Sequence, residues 1–255
     1  MTLVTTRAVL LRSFPYSETS RVLRFYTDAL GCVGVMGKGV RADGARSGSA
    51  LESFVEGTLT VYMKPTRELQ TLCEFAPTRE RRMLAGDVRR FGGAAVLAEL
   101  VMKHAGEEAN PGLFEVLSRS LDRLAEVSRE AVVATLLGEG WRLVAALGYR
   151  PMVEHCVECG AAPGGELALF DLAAGGIRCA RCTLGPTREA RGGVGPRLGP
   201  GARAQLAALL EEGAEPPPLD RPRAHLRLLS DFVTHHISAG RPLPSFAVLA
   251  ELLDG

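Results

Sequence analysis

No apolar run in this 255-residue chain approaches the ~20 residues needed to span a bilayer, and no charged-then-apolar leader opens it. A soluble, cytosolic protein is the expectation. The short motifs of common chemistries are missing too: no Gly-x-x-x-x-Gly-Lys-Ser/Thr phosphate cradle, no Gly-x-Ser-x-Gly elbow and no His-Glu-x-x-His helix. Carboxylates are scattered, without the cluster that two-metal nuclease chemistry requires. Lysine is scarce, 3 against 27 arginines, a bias that a GC-rich genome accounts for and from which no function is read. These absences favour a binding protein over an enzyme.

What is present begins with a hydrophobic fraction of 46%, enough for a proper core in one large domain or two to three small ones. Net charge is only +1, but residues 1–90 hold 14 Lys+Arg against 9 Asp+Glu and the remainder 16 against 20. Polyanion binding is therefore expected of the N-terminal part.

Four of the six cysteines form two Cys-x-x-Cys pairs, Cys156/Cys159 and Cys179/Cys182, nineteen residues apart. That spacing matches a structural zinc site, in which each pair sits on a tight turn and four thiolates fill a tetrahedron. Four protein ligands leave no open position, so the site reads as a clamp. Two disulfides are the alternative, disfavoured in a reducing cytosol. A redox Cys-x-x-Cys normally comes as one pair near a βαβ unit. His155 is a substitute ligand in principle, made superfluous by the four cysteines. Between the pairs, residues 168–171 and 175–177 look like the hairpin of a zinc ribbon.

Upstream, residues 7–11, 21–26, 32–36, 54–63 and 69–75 are five apolar or alternating runs separated by polar, Gly, Pro and Ser punctuation. Five short strands within about 75 residues suggest a small closed barrel, of which the OB-fold is the commonest. Alternation sends Leu23, Phe25, Val33 and Val35 inward. It sends Arg24 and Tyr26 outward, with Cys32, Gly34, Met36 and Lys38 beside them, so that Tyr26 is expected to stack on a base. A basic loop from Gly37 to Gly48, carrying Lys38, Arg41 and Arg46, would then follow phosphates. The alternative is a solvated hairpin tip with a surface tyrosine.

Pro77 ends the barrel, and a helical region follows. Asn110-Pro111 marks a helix start, Leu113, Leu117, Leu121 and Leu124 recur at helical spacing, and Ser128 is expected to cap a strongly apolar helix that Gly148 stops. After the cysteines, residues 192–200 read as a Gly/Pro linker. Helices follow at 202–212 and 223–238. His235 and His236 end the last one, where positive charge suits the helix dipole; neither they nor His104 and His225 show a metal or catalytic partner. The expected organisation is α+β and multidomain: a five-stranded OB-fold barrel over 1–78, a helical domain in two parts at 79–150 and 188–255, and a four-cysteine, zinc-ribbon-like module embedded at 151–187.

The order and spacing of further segments carry a likeness. Phe14-Pro15-Tyr16-Ser17-Glu18-Thr19-Ser20 precedes the second run and residues 27–31 follow it. Gly37-Lys38-Gly39-Val40-Arg41 comes next, and Leu147-Gly148-Tyr149-Arg150-Pro151 leads into Cys156-Val157-Glu158-Cys159-Gly160. Over essentially its whole length the chain resembles the RecO family of bacterial recombination mediators. The resemblance implies an OB-fold, a helical domain and an embedded zinc module with one structural Zn²⁺. It implies a non-enzymatic role in DNA damage repair and recombination: binding single- and double-stranded DNA, annealing complementary strands, and acting with RecR to load RecA on DNA coated by single-strand-binding protein. All four cysteine ligands are kept, which not every member of the family does. Lys38 and Arg41 carry over as DNA contacts from the Gly-Lys-Gly-x-Arg match; Arg21, Arg24, Tyr26 and Arg46 join them from alternation. A groove between helices would accept the C-terminal tail of single-strand-binding protein.

Two other classes compete. One is a nucleic-acid-modifying enzyme with these modules as accessories. Lys38 ahead of Asp43-Gly44 has a passing likeness to the covalent-lysine motif of polynucleotide ligases, but there the aspartate stands two residues after the lysine and here five. The other is an adaptor that binds proteins only.

Overall fold

The computed structural model describes residues 2–40, 51–106, 108–184, 194–213 and 215–253. The chain folds as two compact units, Met1–Glu126 and Val127–Gly255. The unit that holds the barrel thus continues past residue 78 to include three helices.

In the first unit, strands β1 (Thr2–Pro15), β2 (Arg21–Thr27), β3 (Gly31–Gly37), β4 (Glu56–Met63) and β5 (Leu69–Arg79) close a barrel in the order β1-β2-β3-β5-β4. All neighbours are antiparallel except β3 and β5. This is the expected five-stranded OB-like arrangement. Alternating residues fill its interior: Ala8, Leu10, Leu23, Phe25, Val33, Val35, Leu59, Val61 and Phe75 form one core that Val40, Leu51 and Val55 complete. Each of these valine, leucine and phenylalanine side chains contributes about 1.5–3 kcal/mol when fully buried. The strand β1 runs longer than the alternation of residues 7–11 indicated, because a bulge between Leu10 and Arg12 resets its register and lets it pair on to Pro15.

Three helices complete this unit: α1 (Arg82–Ala85), α2 (Val88–His104) and α3 (Pro111–Glu126). Asp87 caps α2, accepting from the N–H groups of Arg89 and Arg90. Asn110 Oδ1 accepts from Leu113 N–H at 2.9 Å ahead of Pro111, as the Asn-Pro pair indicated. Leu113, Leu117, Leu121 and Leu124 are all buried. Both α2 and α3 lie against the barrel, α2 on β1 and α3 on β2.

In the second unit, α4 (Val132–Ala146) packs with α6 (Pro200–Leu210) and α7 (Pro222–His236), and α8 (Pro244–Leu252) lies on α7. Ser128 does not cap α4: the helix begins a turn later, with Ala131 at its N-cap and no side-chain bond there. Strands β6 (Ala168–Asp171) and β7 (Gly176–Arg178) form the anticipated hairpin, and α5 (Ala180–Leu184) follows. The Gly/Pro stretch read as a linker supplies instead a strand, β8 (Val194–Leu198), on the free edge of β6. Composition hid it because Gly195 is there for close approach: a Cβ would sit 2.8 Å from Phe170 O. Among the described residues no helix is long and apolar enough to cross a membrane.

Candidate metal centre and nucleic-acid face

The hairpin brings the two cysteine pairs together. The Sγ atoms of Cys156, Cys159, Cys179 and Cys182 all lie within 4.8 Å of one another. The first pair sits on a tight turn in which Cys156 N–H donates to Ala161 O and Gly160 N–H to Cys156 O, both at 2.9 Å, with Gly160 at φ +71°. The second pair begins immediately after β7, at Cys179, and continues into α5. Cys179 N–H donates to Cys156 Sγ at 3.4 Å, so one pair's backbone steers the other's sulfur.

A tetrahedron with metal–sulfur bonds of about 2.3 Å has edges of ~3.8 Å. Cys159 Sγ and Cys179 Sγ stand 3.8 Å apart, far beyond the ~2.05 Å of a disulfide. The four thiols cannot all ionise side by side without a cation. Burial opposes ionisation of Cys156, but backbone N–H groups of the two turns outweigh it and bring the thiol down to about 6. Cys182, sharing hydrogen bonds with Cys159 and its neighbours, is pushed up. Backbone hydrogen bonds at Cys182 lower the Cys179 thiol as well; negative charge gathered among four sulfurs is what a divalent cation relieves, and the four side chains fit a metal ion. His155 is exposed and stands outside the group.

On the barrel, the expected nucleic-acid residues separate. Arg24 and Lys38 are exposed and Arg21 is half-buried, with an Nη1–H donating to Leu51 O at 3.4 Å. Arg41 and Arg46, with most of the loop, lie outside the described residues. Tyr26 requires a correction. Its side chain is 0% exposed, stacked 6.3 Å from the Phe114 ring, with Oη donating to Asn110 O at 3.5 Å. Burial pushes the phenol up to about 12. Alternation does put Tyr26 on the outer side of β2, but α3 covers that end of the sheet, so no base can stack there.

The other end of the same face is open. Arg24 pairs across β1 with Arg12 and across β3 with Gly34. Its guanidinium lies over the bare Gly34, where a Cβ would come within 2.6 Å of Nη1. The neighbouring rung is Phe14, Val22 and Met36, and Phe14 remains 39% exposed. The Arg12 guanidinium sits 4.9 Å from the centre of the Phe14 ring. Two arginines directly opposite repel, and among the described residues neither makes an ion pair with a carboxylate. Arg12 and Phe14 were not read as site residues because the first run appeared to end at Leu11. The signal was the extra residue before Arg12, which a bulge absorbs.

One unit holding a five-stranded barrel with arginines on its outer face and another holding four clustered cysteines define a class: a multidomain OB-type protein with a site that could hold a metal ion. Residues 1–80 match the family model "Recombination protein O N terminal" and residues 85–245 "Recombination protein O C terminal". The chain is 32% identical to the DNA repair protein RecO of Anaeromyxobacter sp. (strain K) over 255 residues, 96% of this chain and 94% of that protein. It is 30% identical to that of Salinibacter ruber, covering 98% and 94%, and 33% identical to that of Rubrobacter xylanophilus, covering 71% and 72%. The chain belongs to the RecO family of DNA repair proteins.

Proposed function

We propose that this chain is a DNA-binding recombination mediator that works without catalysis. It binds single- and double-stranded DNA and anneals complementary strands. The observation that carries the reading is the arginine rung, Arg12 opposite Arg24 over Gly34, which makes no carboxylate ion pair among the described residues, on the barrel of a RecO-family chain. Cations on that face neutralise phosphates on two strands at once, so that strand repulsion no longer opposes pairing; Lys38 is exposed near it, whereas Arg21, half-buried against Leu51 O, belongs to the proposal from sequence. Arg41 and Arg46 belong to the same proposal from sequence alone. Annealing makes no covalent bond and consumes no nucleotide.

The clamp metal is Zn²⁺, one per chain, held by Cys156, Cys159, Cys179 and Cys182 with no open position. The protein partners are RecR and single-strand-binding protein, through which RecA is loaded in the cytoplasm. A cleft of about 800 Å³ between α6, α7 and β8 supports the second partner. Its lining combines Leu198, Ala202 and Leu228 with Arg197, Arg221 and Arg227, alongside the carboxylates Asp220 and Asp231, of which Asp231 pairs with Arg227; an apolar anchor with flanking charges is the chemistry it would take.

The test is binding of labelled single-stranded DNA by the purified, metal-quantified protein across a salt series, beside the double variant Arg24→Ala/Lys38→Ala. The wild type should lose affinity steeply with salt, and the variant should bind more weakly with a slope shallower by about one per phosphate contact removed. A correctly folded protein with one zinc per chain that binds no DNA at low salt overturns the reading.

A further inference from the structure

Tyr26 is sealed under α3, yet the open end of the same face carries other aromatic rings. Phe14 stands 39% exposed near the end of β1 and Tyr16, two residues on, is 68% exposed. Exposed rings of this size leave apolar surface in water that a ligand could cover. Phe14 lies on the same face as the Arg12–Arg24 pair, two residues along the strand from it, and the Arg12 guanidinium lies over its ring.

The loop that holds Tyr16 is tied down before any ligand arrives. Tyr16 N–H donates to Ser20 O at 3.0 Å, Ser17 N–H to the same oxygen at 3.3 Å, and Ser20 N–H to Ser17 Oγ at 3.1 Å. The single carboxylate between residues 12 and 24, Glu18, stands exposed in that turn. Phe14 is fixed as well, by strand pairing below it and the Arg12 guanidinium 4.9 Å from its centre. Exposed aromatic rings, with guanidinium groups that make no carboxylate ion pair among the described residues, are the two components of a single-strand track: rings take unpaired bases whatever their identity, and cations take the phosphates between them.

We propose that single-stranded nucleic acid crosses the β1–β2–β3 face with unpaired bases stacked on Phe14 and Tyr16 and its phosphates on Arg12 and Arg24. This rests on the DNA-binding reading above and adds to it a division of labour. The arginines serve any polyanion, single or double. The rings serve only strands whose bases are free, because bases in a duplex are already stacked on one another. Strand preference therefore resides in Phe14 and Tyr16, while Arg12 and Arg24 set salt dependence.

The experiment uses the full-length protein with a labelled oligothymidylate and a labelled hairpin duplex at one fixed salt concentration, then across a salt series. Phe14→Ala and Tyr16→Ala should each weaken single-strand binding roughly tenfold, the scale of one lost base stack, and change duplex binding by less than about twofold. Tyr16→Phe should restore single-strand binding, since it keeps the ring. Arg12→Ala and Arg24→Ala should weaken both substrates and flatten the salt slope by about one contact each. Phe14→Leu, which preserves apolar cover on the sheet, separates stacking from folding: it should bind single strands as poorly as Phe14→Ala while unfolding like the wild type. If the ring variants bind single strands normally, or lose single-strand and duplex affinity equally, the stacking inference falls while the arginine face stands. If the arginine variants also bind like the wild type, the DNA face itself fails.

Discussion

Glu56 is the buried charge on which the first unit's packing converges. Its side chain is 6% exposed and that of Arg81 2%. Its carboxylate takes Arg81 Nη2 at 2.9 Å, Arg7 Nη2 at 3.0 Å and Ser118 Oγ at 2.5 Å, so β1, β4, α3 and the start of α1 meet at one group. Arg81 has further acceptors in Phe54 O and Asp122, and its donors are well satisfied. A paired, fully bonded charge of this kind is costly to break from one side, because the partner is left buried and uncompensated. Glu56→Gln keeps the shape and removes the charge, and should cost about 3 kcal/mol in urea unfolding at neutral pH. Burial alone would raise the Glu56 pKa, but Ser118, Arg7 and Arg81 more than offset it and hold it below the ordinary 4.5. The sign follows: the unfolded chain takes up the proton first, so this stabilisation is complete above about 4.5 and drains away as pH falls below it. The gap between wild type and Glu56→Gln should therefore narrow in acid; a gap of constant size from neutral pH to acid would mean the carboxylate's charge is not what holds α3 to the barrel.

At the scale of elements, the β6–β7 hairpin depends on a glycine that spacing alone would not single out. Gly176 lies where a Cβ would come within 2.4 Å of Met152 O and 2.6 Å of Val157 Cγ1. Residues 152–157 run along β7 there, with Ile177 N–H donating to Met152 O and Val157 N–H to Ile177 O, each at 2.9 Å. Gly176→Ala must push the Cys156 turn off the strand that leads to Cys179. It should cost about 1–3 kcal/mol, the usual range for overpacking, and speed metal loss to a chelator, read by a colorimetric zinc dye. Gly165→Ala, with nothing within 4 Å of the added carbon, should do neither. The hairpin, the cysteine cluster and four inward residues of β2 and β3 were legible in the sequence because each follows from local periodicity or ligand spacing. The outer face of β2 was not: alternation says which way Tyr26 points, but only the tertiary packing of α3 decides whether that side meets solvent. β8 was illegible for a related reason, since its Gly and Pro report close approach to β6 rather than a break in structure, and the barrel's helices α1–α3 carry no mark in sequence of the unit they join.

On the scale of the whole chain, the arginine rung and the thiolate clamp fall in different compact units, and they should respond separately to metal removal. A metal bound by the four cysteines would hold the Cys156 turn, β7 and α5 together. From there the order passes into the helices of its own unit: His236 Nε2–H donates to Leu172 O at 2.7 Å, and the Phe170 ring meets Phe232 at 6.0 Å, which in turn packs on Trp141 at 5.2 Å. Stripping the metal leaves thiols that repel when ionised and no longer converge, so the hairpin loses the cross-link that a domain of its size otherwise lacks. Hydrogen exchange read by mass spectrometry, on the full-length protein with and without a zinc chelator, should show protection lost across residues 152–184 first and reduced in the second half of α7. Amides of β1 to β5 should keep theirs, because no thiolate ligand lies in residues 1–126. DNA retention at low salt should survive the same treatment if the barrel face alone carries it. Loss of barrel protection on chelation would show instead that the metal's contribution extends across both units, and DNA binding would then become metal-dependent without any cation near the phosphates.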